Sequence, residues 1–166
     1  MLKSLDQIME PDTRNLHAFG LSLEHFHLSM DKLALAPPVP DSVQASWDRA
    51  RHLWVYAWFV YDFFILAEFQ AIATLELALR ERLGPQAPNG KAWGGLQLLL
   101  KEAEGQGLLP VNATAGPMPL TTLLRHIRNN HGHGTADVHT PAMTLPILEC
   151  CHELIETLFP GPGPNP

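Results

Sequence analysis

The sequence predicts an all-α helical bundle of about four or five helices. Three observations carry that expectation: apolar residues recur every three or four positions, no stretch sustains two-residue alternation, and no internal repeat is present. The composition agrees. At 166 residues the chain fits one domain with a short appendage. It is 46% hydrophobic, enough for a core, while its 17% charged residues fall below the usual quarter. Part of its apolar surface is therefore expected against a partner chain.

From the N-terminal side, residues 13–35 place Leu16, Phe19, Leu23, Phe26, Met30 and Leu33 at helical spacing, which predicts one amphipathic helix running through Gly20. "APPVPDS" breaks it, and Asp41 or Ser42 is expected to cap the next helix. Ser42 to Leu83 holds neither glycine nor proline, so it predicts one very long helix or two with a bend near the aromatic cluster. Its most apolar part, "LWVYAWFVYDFFILAEF" (53–69), is interrupted by Asp62 and Glu68. That falls short of the roughly 18 uncharged residues a membrane span needs, so it reads as a buried helix. Trp47, Trp54, Trp58 and Phe59 have the spacing of core or dimer-interface side chains rather than of a base-stacking platform.

"GPQAPNG" then stops the chain with glycine and proline. A shorter helix is expected from about Trp93 to Glu104, closed by "GQG", and "NATAGPMP" reads as loop. Leu120 to about His131 is expected to be helical, with Leu120, Leu123, Leu124 and Ile127 on one side. "GHGTADVHT" is a second loop, and Pro146 suits the first turn of a last helix ending near Phe159. The organisation this implies is a helical extension over 1–40, a helical domain over 41–160 and a disordered tail over 161–166.

A formal charge of −6 disfavours a broad basic face for nucleic acid but leaves room for a small basic pocket. The opening "MLKSLDQIMEPD" lacks the apolar run of a signal peptide, which points to a cytoplasmic protein with no membrane partner. Cys150 and Cys151 are adjacent and project about 100° apart on a helix, so they read as reduced core thiols rather than a disulfide.

Polar chemistry concentrates in "RNNHGHGT", residues 128–135. Arg128-Asn129-x-x-x-His133 followed by Gly134 resembles the arginine–polar–three-residue–histidine signature of the HEPN superfamily. The resemblance extends to "AEFQAIATLELALRERLG" (67–84), which looks like the long second helix of such proteins. It covers roughly Ser42 to Phe159 and leaves the first 40 residues outside. It implies a HEPN-like helical bundle, usually dimeric. Many members are metal-independent endoribonucleases in toxin–antitoxin, antiviral or stress systems, and others only bind nucleotides or RNA. By position, Arg128 and His133 would be the principal pair and Asn129 the polar residue beside the arginine, with His131 in support. The partners implied are an RNA such as tRNA or ribosomal RNA, a second copy of the chain and, in a toxin setting, an antitoxin protein. No cofactor is implied.

The chemistry is coherent by itself. Attack of a ribose 2′-hydroxyl on its neighbouring phosphate needs proton transfer and stabilisation of added negative charge. Histidine exchanges protons near neutral pH, and arginine offers a cationic fork that matches phosphate oxygens. Five residues along a straight helix turn through about 140°, so Arg128 and His133 would point apart. Either Gly132 bends the chain, or the pair acts across a dimer axis where the same patch meets itself.

Two other readings compete. Cations followed by glycine make an ordinary polar helix end. His126, His131, His133 and His139, with Asp137, could also share a zinc ion, although their spacing is looser than that of closed zinc sites. Glu76 lies in step with Ile72, Leu79 and Leu83, which puts a carboxylate on an apolar stripe. It either forms an exposed pair with Arg80 or reaches Arg128 or Asn129 and fixes the site.

Overall fold

Caps and glycines set where the helices begin and end, and those limits decide how the bundle closes. The computed structural model describes residues 2–87, 90, 92–110, 114–115, 118–119, 122, 124, 126–129 and 138–161. Over these residues the chain is an all-α bundle.

The stretch 13–35 is two helices, not one. Helix α1 (Thr13–Phe19) opens where the Asp12 carboxylate accepts from Arg14 N, and closes at Gly20 with φ 58°. That left-handed backbone suits glycine and ends a helix whatever the apolar pattern beyond it. Ser22 then starts α2 (Leu23–Asp31) through a reciprocal capping box with His25. A second departure lies at α3 (Asp41–Tyr56), whose N-cap is Pro40. Asp41 sits inside the first turn, where its charge suits the helix dipole. Ser42 Oγ donates to Glu81 Oε1 instead of capping.

The glycine-free run from 42 to 83 resolves into α3 and α4 (Phe63–Leu83). What breaks it is the N-terminal segment. Asn15 is fully buried, and its Nδ2 donates to Ala57 O at 2.9 Å and Trp58 O at 3.1 Å. Asp12 N donates to Trp58 O at 2.9 Å. The carbonyls that would carry the helix forward are thus taken from outside it. The expected single buried helix over residues 53–69 is therefore a junction, and Tyr56, Val60, Leu66 and Phe69 on it are exposed.

Helix α4 ends as expected at Gly84, with φ 89°. Helix α5 (Leu96–Gly105) starts three residues later than the sequence suggested. Gly94 and Gly95 do not favour helix, and the Trp93 indole closes α4 by donating to Gly84 O at 2.7 Å. The expected loop contains one short antiparallel pairing, Thr114–Ala115 with Met118–Pro119. Thr122, Leu124 and residues 126–129 are helical; Leu124 is fully buried and Ile127 packs on the core. Leu120 and Leu123 lie outside the described residues. The last helix, α6 (Pro141–Leu158), has Pro141 in its first turn and Pro146 in its interior, reversing the expected placement. The ladder begins with Met143 and Thr144 N–H groups bonded to Thr140 O, one turn before Pro146.

Helix α4 is the centre. It packs against α3, α5 and α6, and α2 closes over α3. Ala67, Ala71 and Ala78 are fully buried on α4 and let its neighbours approach closely. Phe26 of α2 stacks on Trp54 with ring centroids 5.4 Å apart, and Trp54 meets Phe64 of α4 edge-on at 5.2 Å. The buried indoles keep hydrogen bonds: Trp47 Nε1 donates to Leu33 O, and Trp54 Nε1 to Ser29 Oγ. Trp47, Trp54 and Trp58 are core residues, and Phe59 packs against them half-buried. Among the described residues no helix is long and apolar enough to cross a membrane.

Candidate functional site

Arg128 and Asn129 lie on the short helix that Leu124 and Ile127 anchor to the core. Two apolar contacts on one side leave the polar residues half-buried or exposed on the other. Arg128 Nε lies 3.9 Å from Glu76 Oε2, and its side chain is 43% exposed. Glu76, on α4, is 14% exposed and also accepts from Arg80 one turn on. The two accounts of Glu76 therefore coexist: it pairs with Arg80 along the helix and faces Arg128 across it. At 3.9 Å the contact with Arg128 is an ion pair rather than a hydrogen bond.

Arg128 and Asn129 open onto a hollow of about 290 Å³, whose other wall is Gly95, Leu96, Gln97 and Leu98. Those four residues are the N-terminal turn of α5. Gly95 at the N-cap has no side chain to occupy the first-turn N–H groups, and no acidic residue stands in that turn. A helix N-terminus presents partial positive charge and N–H donors. Beside it stands an arginine whose charge is shared with a single partly buried carboxylate. The combination suits an anionic group small enough for a hollow near the lower limit of ligand pockets, about 300 Å³. A phosphate of a nucleic-acid backbone has that character.

His131 and His133 lie outside the described residues, as do Gly132, Asp137 and Gly134. Of the other histidines considered for zinc, His126 is exposed and His139 sits on Glu68. Among the described residues no group of three His, Cys, Asp or Glu side chains is arranged to hold a metal ion. Cys151 is fully buried and Cys150 partly so. Burial raises both thiols, Cys150 to about 12, so neither serves as a nucleophile near neutral pH.

One polar constellation is not apparent from the sequence. Glu68, fully buried on α4, accepts from Thr144 Oγ1 at 2.6 Å, and His139 Nδ1 lies 2.8 Å from its Oε2. Its only trace in the sequence is a carboxylate inside an otherwise apolar run, where it argues against a membrane span and names no partner. No family model matches the chain, and neither a curated protein nor a solved structure matches it.

Proposed function

We propose that the protein is a HEPN-like, metal-independent endoribonuclease that works as a homodimer. The observation that carries this reading is the shared hollow: Arg128, Asn129 and the uncapped first turn of α5 converge on one anion-sized space. Arg128 would hold the non-bridging oxygens of the scissile phosphate and stabilise the charge added there. Glu76 orients the guanidinium from behind. His133 would take the proton from the attacking 2′-hydroxyl, forming the new O2′–P bond as the P–O5′ bond breaks. In an isologous dimer the second histidine supplies the proton to the leaving 5′-oxygen.

Helix α4 supports the dimer. Its exposed Leu66 and Phe69 share a face with Glu76, because seven residues make nearly two turns. A second copy seated on Leu66 and Phe69 would lie beside the Arg128 hollow. The net charge of −6 favours an RNA presented by a structured partner, such as tRNA or ribosomal RNA, over free strands. A toxin, antiviral or stress role fits this activity, with an antitoxin protein as a partner.

The purified protein should cut RNA in the presence of EDTA and leave 2′,3′-cyclic phosphate ends. Stoichiometric zinc with cleavage lost on chelation would overturn the metal-independent mechanism. RNA bound through Arg128 but never cut would leave the same hollow as a non-catalytic RNA- or nucleotide-binding site.

A further inference from the structure

Glu68 is a buried carboxylate in the middle of the bundle, held from a distant part of the chain. Burying such a group is unfavourable unless polar partners take its oxygens. Thr144 Oγ1 donates to Oε1 at 2.6 Å, while His139 Nδ1 lies 2.9 Å from Oε1 and 2.8 Å from Oε2. Both partners follow Glu68 by more than 70 residues and bracket the start of α6, the His139 side chain being 16% exposed. The residues between them run from the loop into the helix: Thr140 is its N-cap and Pro141 its first residue. Glu68 therefore fixes the point at which the chain rejoins the bundle.

The other end of that connection is fixed on the same helix. Arg128 meets Glu76, and Glu76 lies eight residues after Glu68 on α4, about 12 Å along the axis. Residues 129–138 therefore leave from beside one carboxylate of α4 and return to another. Ten residues could reach about 33 Å if fully extended, so the two anchors, rather than chain length, set where this stretch begins and ends. It carries His131 and His133.

We infer that Glu68 is a positioning residue for the Arg128 site: through His139 and Thr144 it fixes the return end of the histidine-bearing stretch relative to Arg128. The geometric part stands on these contacts, and its catalytic consequence rests on the proposed RNA cleavage. Glu68 touches no substrate. Its effect is to set where the proton-transfer group stands, which matters because misplacement by about 1 Å can cost a hundredfold in rate.

The test uses the full chain carrying Glu68→Gln, an isostere that keeps the volume but replaces one acceptor oxygen with a donor. Steady-state cleavage of an RNA oligonucleotide should show kcat reduced about tenfold or more and KM within about twofold, since Arg128 and its hollow are untouched. Amide hydrogen exchange should accelerate about tenfold in peptides covering residues 130–145 and stay unchanged in those covering 41–83. Thr144→Val removes a single donor and should give a smaller change of the same pattern. It carries the test if Glu68→Gln does not fold. Uniform acceleration across all helices would make Glu68 a general core residue and overturn the inference. Unchanged exchange, or local acceleration with kcat intact, would overturn it equally. If the wild-type protein cuts no RNA, the proposed function fails on its own, and the exchange measurement still decides whether Glu68 anchors this stretch.

Discussion

Arg128 has two possible roles that differ in consequence: a cation ending a helix, or a cation waiting for phosphate. Its surroundings favour the second. A helix-end arginine interacts with its own helix's carbonyls, whereas Arg128 meets a carboxylate of α4 and borders the first turn of α5. Replacing Arg128 or His133 with Ala should each lower RNA cleavage by about two orders of magnitude or more, the scale for losing a charge-stabilising or acid–base group. His131→Ala should change it much less. Initial rates with melting curves alongside provide the check, and all three variants should keep the wild-type transition because a polar turn buries little. Wild-type cleavage by both Arg128→Ala and His133→Ala, with RNA still bound, would return the stretch to an ordinary helix end. The pairing of Arg128 with Asn129 is legible in the sequence because adjacent residues carry it. Glu68 is not legible as a hydrogen-bonding centre, because its partners lie more than 70 residues away and only folding brings them together.

At the scale of elements, periodicity identifies the helices and misjudges several of their limits. A three- and four-residue pattern reports which side of a helix is apolar, and that pattern continues across Gly20 even though the helix does not. The last helix shows the same limit: Pro141 and Pro146 are both candidate first-turn residues, and backbone bonding to Thr140 chooses the earlier. The α3–α4 break is the clearest case. Nothing local requires it, since neither glycine nor proline is present, and the cause is Asn15, 42 residues away. Asn15→Ala should therefore destabilise the protein by about 1–3 kcal/mol, the cost of leaving buried polar groups without their partner. Urea titration measures this directly. An unchanged midpoint would mean that the aromatic packing of Trp58, Tyr61 and Phe64 alone holds the junction. The expected effect also makes the first 40 residues part of the bundle's stability, since Phe26 and Met30 from α2 are buried in its core.

At the scale of the whole molecule, low charge and high apolar content point to a covered surface, and α4 shows where such a surface could be. A helix apolar nearly all round is ordinarily enclosed. Helix α4 is packed by α3, α5 and α6, yet Leu66 and Phe69 remain exposed. If a second copy covers them, sedimentation or light scattering at micromolar concentration should give twice the 18.4 kDa chain mass. Leu66→Glu combined with Phe69→Glu should return the single-chain mass while keeping the helical circular dichroism, because neither side chain belongs to the buried core. Cleavage should fall with the mass, since a separated chain keeps its arginine but loses the partner's histidine. Mixing Arg128→Ala chains with His133→Ala chains tests that sharing directly. If each cleft takes its arginine from one chain and its histidine from the other, the mixed dimer rebuilds one of two composite sites and recovers up to half the wild-type rate. Recovery absent in a verified mixed dimer would mean that each chain works alone, and a wild-type protein that sediments as a monomer would remove the shared cleft altogether.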